Sequence, residues 1–267
     1  MTSVSVGELL KDWRSRRRVS QLDLAYRADV SPKHLSFVET GRSRPSPELL
    51  MSLAVHLDVP LRDRNTLLLA AGHAPRYQET AVDHPDLAQI MRSVHRFIDA
   101  HLPYPAIVLD ATGNVLLANA AAALFIGLLP DHLRTPPINM FRASLHPDGL
   151  ARSTVNLDAW THHLLDNLDR LAITSPPGID ALRAEIHSYP NVIEHRARRH
   201  STERTVDPLV PYELDIDGHR LSLFTTLMAF GTPRDITLAD MTIELFFPND
   251  TATAEYFHRA TQPPNSE

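Results

Sequence analysis

The chain contains no cysteine. A disulfide, an iron–sulfur cluster, a thiolate zinc site and a thiol nucleophile are therefore excluded, and a reducing compartment is the setting that fits. Glycine is scarce, nine residues in 267, and no two lie closer than Gly218 and Gly231. That spacing excludes a Walker loop, a dinucleotide fingerprint and a G-x-S-x-G nucleophile elbow, which all need glycines within a few positions of one another. Long apolar runs are missing too. The longest, VLLANAAAALFIGLL over 115–129, is broken by Asn119 and falls short of the roughly 20 residues that cross a bilayer. The opening MTSVSVGELLKDWRSRRR has no apolar stretch behind its charges and does not read as a secretory signal. The expectation is a cytoplasmic protein with no membrane span.

What is present is the balance of a folded protein, 43% hydrophobic against 22% charged, at a length that suits one large domain or two ordinary ones. Charge is unevenly placed. Residues 1–76 carry 12 lysines and arginines against 8 acidic residues, whereas 77–267 carry 14 against 24. A small basic module joined to a larger acidic one is implied, and a basic module can bind nucleic acid. The competing reading is a chance imbalance, so pattern has to decide.

Residues 5–17 place Leu9, Leu10 and Trp13 on one side of a short helix. In VSQLDLAYRADVSPKHLSFVETG, over 19–41, Ser20 and Ser31 are suited to cap two helices, and Pro32 falls at the first helical position, where a missing N–H is harmless. A tight turn around Asp29 separates them, the layout of a helix-turn-helix. Leu24, Ala25, Val30, Leu35 and Val38 are its apolar positions. Ser46-Pro47 opens a fourth helix, and Pro60 separates it from a fifth that stops at Gly72.

SQLDLA, VSPKHLSFVETGRSRPS and the five-helix count resemble the Cro/repressor, or XRE, type of DNA-binding domain, an all-α lambda-repressor-like fold. The resemblance implies that the helix capped by Ser31 enters the major groove of a double-stranded operator. Pro32, Lys33 and Phe37 would then face bases, Lys33 towards guanine and the other two towards thymine methyls, with His34 and Ser36 beside them. It also implies that Gln21 anchors a phosphate and that Arg42 and Arg44 contact the backbone. Other readings stay open at this stage: Phe37 as core, Lys33 and the two arginines as solvated surface. Arg18 and Asp29 stand where such domains commonly have glycine. Aspartate tolerates a left-handed turn better than most residues.

The segment 73–86 lacks periodicity, which puts a boundary between domains at 1–77 and 78–267. From Pro85, Leu87, Ile90, Met91, Val94, Phe97 and Ile98 recur at helical steps. YPAIVLD and VLLAN read as short strands, Asn119 as the cap of an alanine-rich helix, and 156–171 and 178–189 as helices. The chain then returns to strand. Asp217-Gly218 is a hairpin signal that pairs Ile216 with His219, Leu214 with Leu221 and Tyr212 with Leu223, making one face apolar through Leu227. MTIELFF supplies a last strand after a short segment at Thr237. The result is an α+β domain, an antiparallel sheet covered on one face by helices.

HLSFVETGRSRPS, LLLAAGHAPRYQET, YPAIVLD with VLLANAAAALF, NLDAW, and FGTPRDITLADMTIELFFPNDTAT together resemble MmyB-like regulators over about 5–257. That resemblance implies a PAS-like second domain holding a small apolar, fatty-acid-like effector. Physically, Leu214, Leu221, Leu223 and Leu227 should face Trp160 and Leu164 and line such a site; ordinary packed core is the alternative. The histidines do not form a metal pattern: His162 and His163 are adjacent, and His195 and His200 lack the i, i+4 spacing. HRARRHSTER at 195–204 reads as a solvated basic loop or a second backbone contact, and TQPPNSE as a frayed tail.

These readings converge on a sequence-specific transcription regulator, not an enzyme, with no catalytic residue, metal or cofactor. Half-sites roughly 34–36 Å apart are usual for repressor-type modules, so a homodimer is expected. The alternatives are a small-molecule or lipid-binding protein in which DNA binding is secondary, and an enzyme built on the second domain.

Overall fold

A computed structural model describes residues 5–174, 177–198 and 209–261. They form two compact units, one of the residues up to Ala81 with Gly231–Ala239, the other of those from Val82 to Phe230 and from Asp240 onward.

The first unit contains α1 (Val6–Arg16), α2 (Gln21–Arg27), α3 (Pro32–Glu39), α4 (Pro47–His56) and α5 (Leu61–Ala70). The serines start them as the sequence requires. The hydroxyls of Ser20, Ser31 and Ser46 accept the backbone N–H of Asp23, His34 and Leu49, and Ser5 forms a reciprocal capping box with Glu8. The apolar faces close on one core that includes Leu10, Leu24, Ala25, Leu35, Val38, Leu50, Leu53 and Leu67. Arg18 and Asp29, at the two corners of α2, both adopt φ 53°, the left-handed conformation that explains why glycine suits those places.

A segment of much later sequence completes this unit. Ile236 N–H donates to Gln78 O at 2.8 Å, Thr80 Oγ1 to Asp235 Oδ2 at 2.6 Å, and Thr237 Oγ1 to Thr80 O at 2.6 Å. Periodicity carries no trace of such side-chain clasps, so the sequence pattern gave no sign of this return.

The second unit begins with α6 (Pro85–Asp99), followed by β1 (Ala106–Leu109), β2 (Val115–Ala118), α7 (Ala120–Gly127), α8 (Asp131–Arg134) and α9 (Met140–Leu145). After a 3-10 turn at Leu150–Ser153 come α10 (Leu157–Thr174), α11 (Ile179–His187), α12 (Pro190–Arg198), β3 (Tyr212–Ile216) and β4 (His219–Ala229). After α13 (Ile236–Asp240), which falls almost wholly in the first unit, the second unit ends with β5 (Thr242–Pro248) and α14 (Thr251–Ala260). The five strands make one antiparallel sheet in the order β2-β1-β5-β4-β3. The hairpin has the anticipated register, with Ile216 opposite His219, Leu214 opposite Leu221 and Tyr212 opposite Leu223. Asn119 caps α7 and also binds the carbonyls of Ile98 and Tyr104.

Three features depart from the sequence reading. Where a return to strand was expected after 189, α12 continues the helical layer; it is only nine residues long, too short to establish a period. Helix α14, capped by Asp250, was not anticipated. The sheet is also covered on both faces at β1, all four of whose residues are buried, because α6 packs against it. Of the basic cluster 195–204, only 195–198 fall within the described residues, at the end of α12, and of the tail only Thr261 does.

Candidate functional site

Helix α3 is short, and its burial pattern sorts its residues. Leu35 and Val38 are in the core, Pro32 and Lys33 are exposed, and His34, Ser36 and Phe37 are half-buried. Phe37 lies outside the core, so the reading of it as a packed core residue does not hold. Its ring is flanked instead by cations, with Lys33 Nζ 5.7 Å and the Arg42 guanidinium carbon 5.9 Å from its centre. An aromatic face between two positive charges can meet both base edges and phosphates.

What fixes α3 is an ion pair that sequence reasoning missed. Arg14 of α1 donates from Nε to Glu39 Oε1 at 2.7 Å and from Nη2 to Oε2 at 2.9 Å, and its Nη1 reaches Val19 O at 3.1 Å. Glu39 is buried, and hydrogen bonding to it raises the Arg14 pKa. The signal was there: Leu35, Val38 and Glu39 follow a helical step, which puts a carboxylate on the apolar face, where only a partner makes it tolerable. α1 can cross so near because residue 7 is glycine. A Cβ there would come within 2.5 Å of Glu39 O.

Two of the expected phosphate anchors are engaged inside the fold. Gln21 Nε2 donates to Glu39 Oε2 at 3.0 Å. Arg44 donates from Nε to Ala71 O at 2.7 Å and from Nη2 to Gly72 O at 2.8 Å, satisfying carbonyls at the end of α5. In this arrangement Arg44 secures the turn after α3, with its fork already occupied.

In the second unit a cavity of about 70 Å³ lies between the sheet and helices α7 and α9. Ile107 of β1, Phe246 of β5, Phe125 and Ile126 of α7, and Met140 and Ala143 of α9 supply much of its wall. Tyr212 reaches it from β3, and its buried hydroxyl has no hydrogen-bond partner among the described residues. Burial pushes that phenol well above its usual range; the nearby hydroxyls of Thr154 and Ser144 pull the other way without reaching bonding geometry. The ring stacks on Trp160, centroids 4.3 Å apart. On the same sheet face, Glu244 of β5 pairs across the strands with Ile107 and Leu227, and burial raises its carboxyl to about 7.

The residues expected to line a ligand site are not in the wall of this cavity. Trp160, Leu164, Leu214, Leu221 and Leu223 are buried together in the main core, with Trp160 stacked on Tyr212 of β3. Leu227 is 62% exposed. β3 ends opposite Leu223, so the far half of β4 has no strand neighbour on that side among the described residues, and the apolar face the sequence reading extended through Leu227 stops short. The cavity lies instead against β1 and β5, beside α7 and α9, whose alanine-rich and short sequences gave no directional pattern.

Comparison with known proteins agrees with this division. Residues 5–67 match the description "Helix-turn-helix domain", and residues 90–260 match "MmyB-like transcription regulator ligand binding domain". No curated protein matches the chain. Among solved structures, the PAS domain of Bordetella pertussis BvgS is similar at 16% identity, covering 64% of this chain and 94% of that one, with a TM-score of 0.27 that is too low to bear on the fold. No helix among the described residues is long and apolar enough to cross a membrane. With the ligand-binding match spanning well over half its length and the helix-turn-helix match ahead of it, the chain belongs to the family of MmyB-like transcription regulators.

Proposed function

We propose that the protein binds duplex DNA sequence-specifically through α3, as a homodimer, and that a small apolar, fatty-acid-like molecule in the cavity controls that binding. The observation that carries the DNA half is Phe37 standing half-exposed between Lys33 and Arg42 on a helix whose other face is core. Lys33, Pro32 and Phe37 read base edges, Ser31, His34 and Ser36 lie beside them, and Arg42 neutralises phosphate. Gln21 and Arg44 contribute by holding α3 and its following turn in place.

The cavity supports the effector half. Its walls are almost wholly apolar, so a hydrocarbon is favoured there, and the Tyr212 hydroxyl is the polar group that would orient a carboxylate or hydroxyl end. At about 70 Å³ the space is small for an acyl chain, and binding requires wall side chains to move aside, for which the unbranched Met140 is suited. Coupling follows the chain itself. β4 and β5, the latter carrying the Phe246 wall, are joined through Gly231–Ala239, which folds with the DNA-binding unit. A shift of β5 on ligand entry pulls directly on the Asp235–Thr80 clasp.

Selection of duplexes from a random pool by the purified protein, paired with mass spectrometry of organic extracts of the same material, tests both halves. Enrichment of a two-fold symmetric site and recovery of an acyl compound are expected. No enrichment at low salt would refute the regulator reading, and retention of a lipid with no effect on DNA affinity would favour a lipid-binding protein in which DNA binding is secondary.

A further inference from the structure

Apart from both sites, α8 and the loop following α9 bring two imidazoles and a carboxylate together. His132, His146 and Asp148 each offer a ligand atom, and these atoms lie within 4.8 Å of one another. The two rings meet edge to face with centroids 5.2 Å apart. Both line a surface recess of about 450 Å³ shared with Asn139, Arg142, Glu185 and Tyr189. Arg142, the arginine in that recess, donates to Glu185 at 2.8 and 2.7 Å, so its charge is neutralised beside the histidines. A cation entering the recess is not opposed by it.

We propose that His132, His146 and Asp148 form a binding site for a divalent transition ion of the zinc class, with a fourth position open to water or an exogenous ligand in the recess. Two imidazole nitrogens with one carboxylate suit zinc, cobalt or nickel; magnesium and calcium want oxygen ligands throughout. Bond lengths of about 2.0–2.2 Å to nitrogen and oxygen place tetrahedral ligand atoms roughly 3.4 Å apart, so the group must contract by about 1.4 Å at most. The side chains can supply that, since His132 and Asp148 are exposed and free to change rotamer. The loop gives up one contact in exchange: His146 Nδ1 now accepts the Asp148 N–H at 3.1 Å, and ligation through either ring nitrogen ends that role. The ion would tie α8 to the α9 loop across Leu129, Leu133, Ala143 and Leu150, a small apolar cluster of which all but Leu133 also wall the cavity. Sequence inspection missed the site because its ligands are 14 and 2 residues apart and on different elements, with no helical spacing to reveal them.

The test uses the full chain without a histidine tag, stripped with chelator and titrated with zinc, then cobalt. One tightly held zinc per chain is expected, together with cobalt absorption bands of a low-coordinate site and no competition from a hundredfold excess of magnesium. His132→Ala and His146→Ala should each weaken zinc binding at least tenfold, with Asp148→Asn weakening it less, while His84→Ala leaves it unchanged. Equal stoichiometry and affinity in the His132→Ala/His146→Ala double variant, or no cobalt spectrum in the unaltered protein, would overturn the proposal. Since cobalt is read in the unaltered chain, a variant that fails to fold does not protect the proposal from refutation.

Discussion

Arg14→Met removes the clamp on α3 without removing much volume. Glu39, whose side chain is 4% exposed, would be left with the Gln21 amide as its remaining side-chain donor. Stripping one partner from a buried ion pair costs about 3–5 kcal/mol, and since Arg14 is itself 15% exposed, water makes up part of the loss and the lower end applies. A loss of about 3 kcal/mol is roughly a 150-fold fall in the folding equilibrium, and for a unit of this size a drop in Tm of the order of 10–20 °C. The two tryptophans divide between the units, Trp13 in the first and Trp160 in the second, so urea unfolding followed by Trp13 fluorescence in a Trp160→Phe background isolates the unit concerned. Arg14→Met combined with Glu39→Leu should recover most of the loss, because no charge is then stranded. A single variant costing less than about 1 kcal/mol, as exposed pairs do, or a double variant no better than the single, would show that the pair does not hold α3 in place.

Further outcomes are expected elsewhere in the chain. Glu244, raised by burial from 4.5 to about 7, keeps its proton in the folded state while the unfolded chain has released it; stability is therefore full below about pH 4.5 and falls as pH rises towards 7. Glu244→Gln should remove that slope and stabilise the protein by up to about 3 kcal/mol at pH 8, as checked by denaturant melts across pH; a slope that persists would contradict the burial argument. Tyr212→Phe deletes a buried hydroxyl with no partner among the described residues and should raise Tm of the ligand-free protein while reducing recovery of any polar-ended effector; a fall in Tm would mean that the hydroxyl is bonded in solution. Arg42→Ala should weaken binding to every duplex and reduce the salt slope by about one, whereas Lys33→Ala should change base preference, and identical effects on all probes would undo the division of roles. Asp235→Ala should leave operator affinity without effector intact and abolish its response to effector in a gel-shift titration; an unchanged response rules out the clasp as the coupling route.

Local chemistry was enough to establish much of this protein from its sequence. Ser20, Ser31 and Ser46 cap their helices because a hydroxyl placed before a helical run answers an otherwise unsatisfied N–H, and Asp217-Gly218 fixes the hairpin register because only such a pair accepts the turn. Leu35 and Val38 identified the buried side of α3, and with it the side left exposed. What depended on tertiary packing was every relation between distant residues. That Arg44 bonds the end of α5, that Trp160 and Leu214 are buried in one core, and that Gly231–Ala239 returns to the first unit are matters of three-dimensional proximity, which periodicity does not encode. A cavity is the extreme case, since it is a difference between the volume the helices and sheet enclose and the volume their side chains occupy, and no stretch of sequence carries that difference.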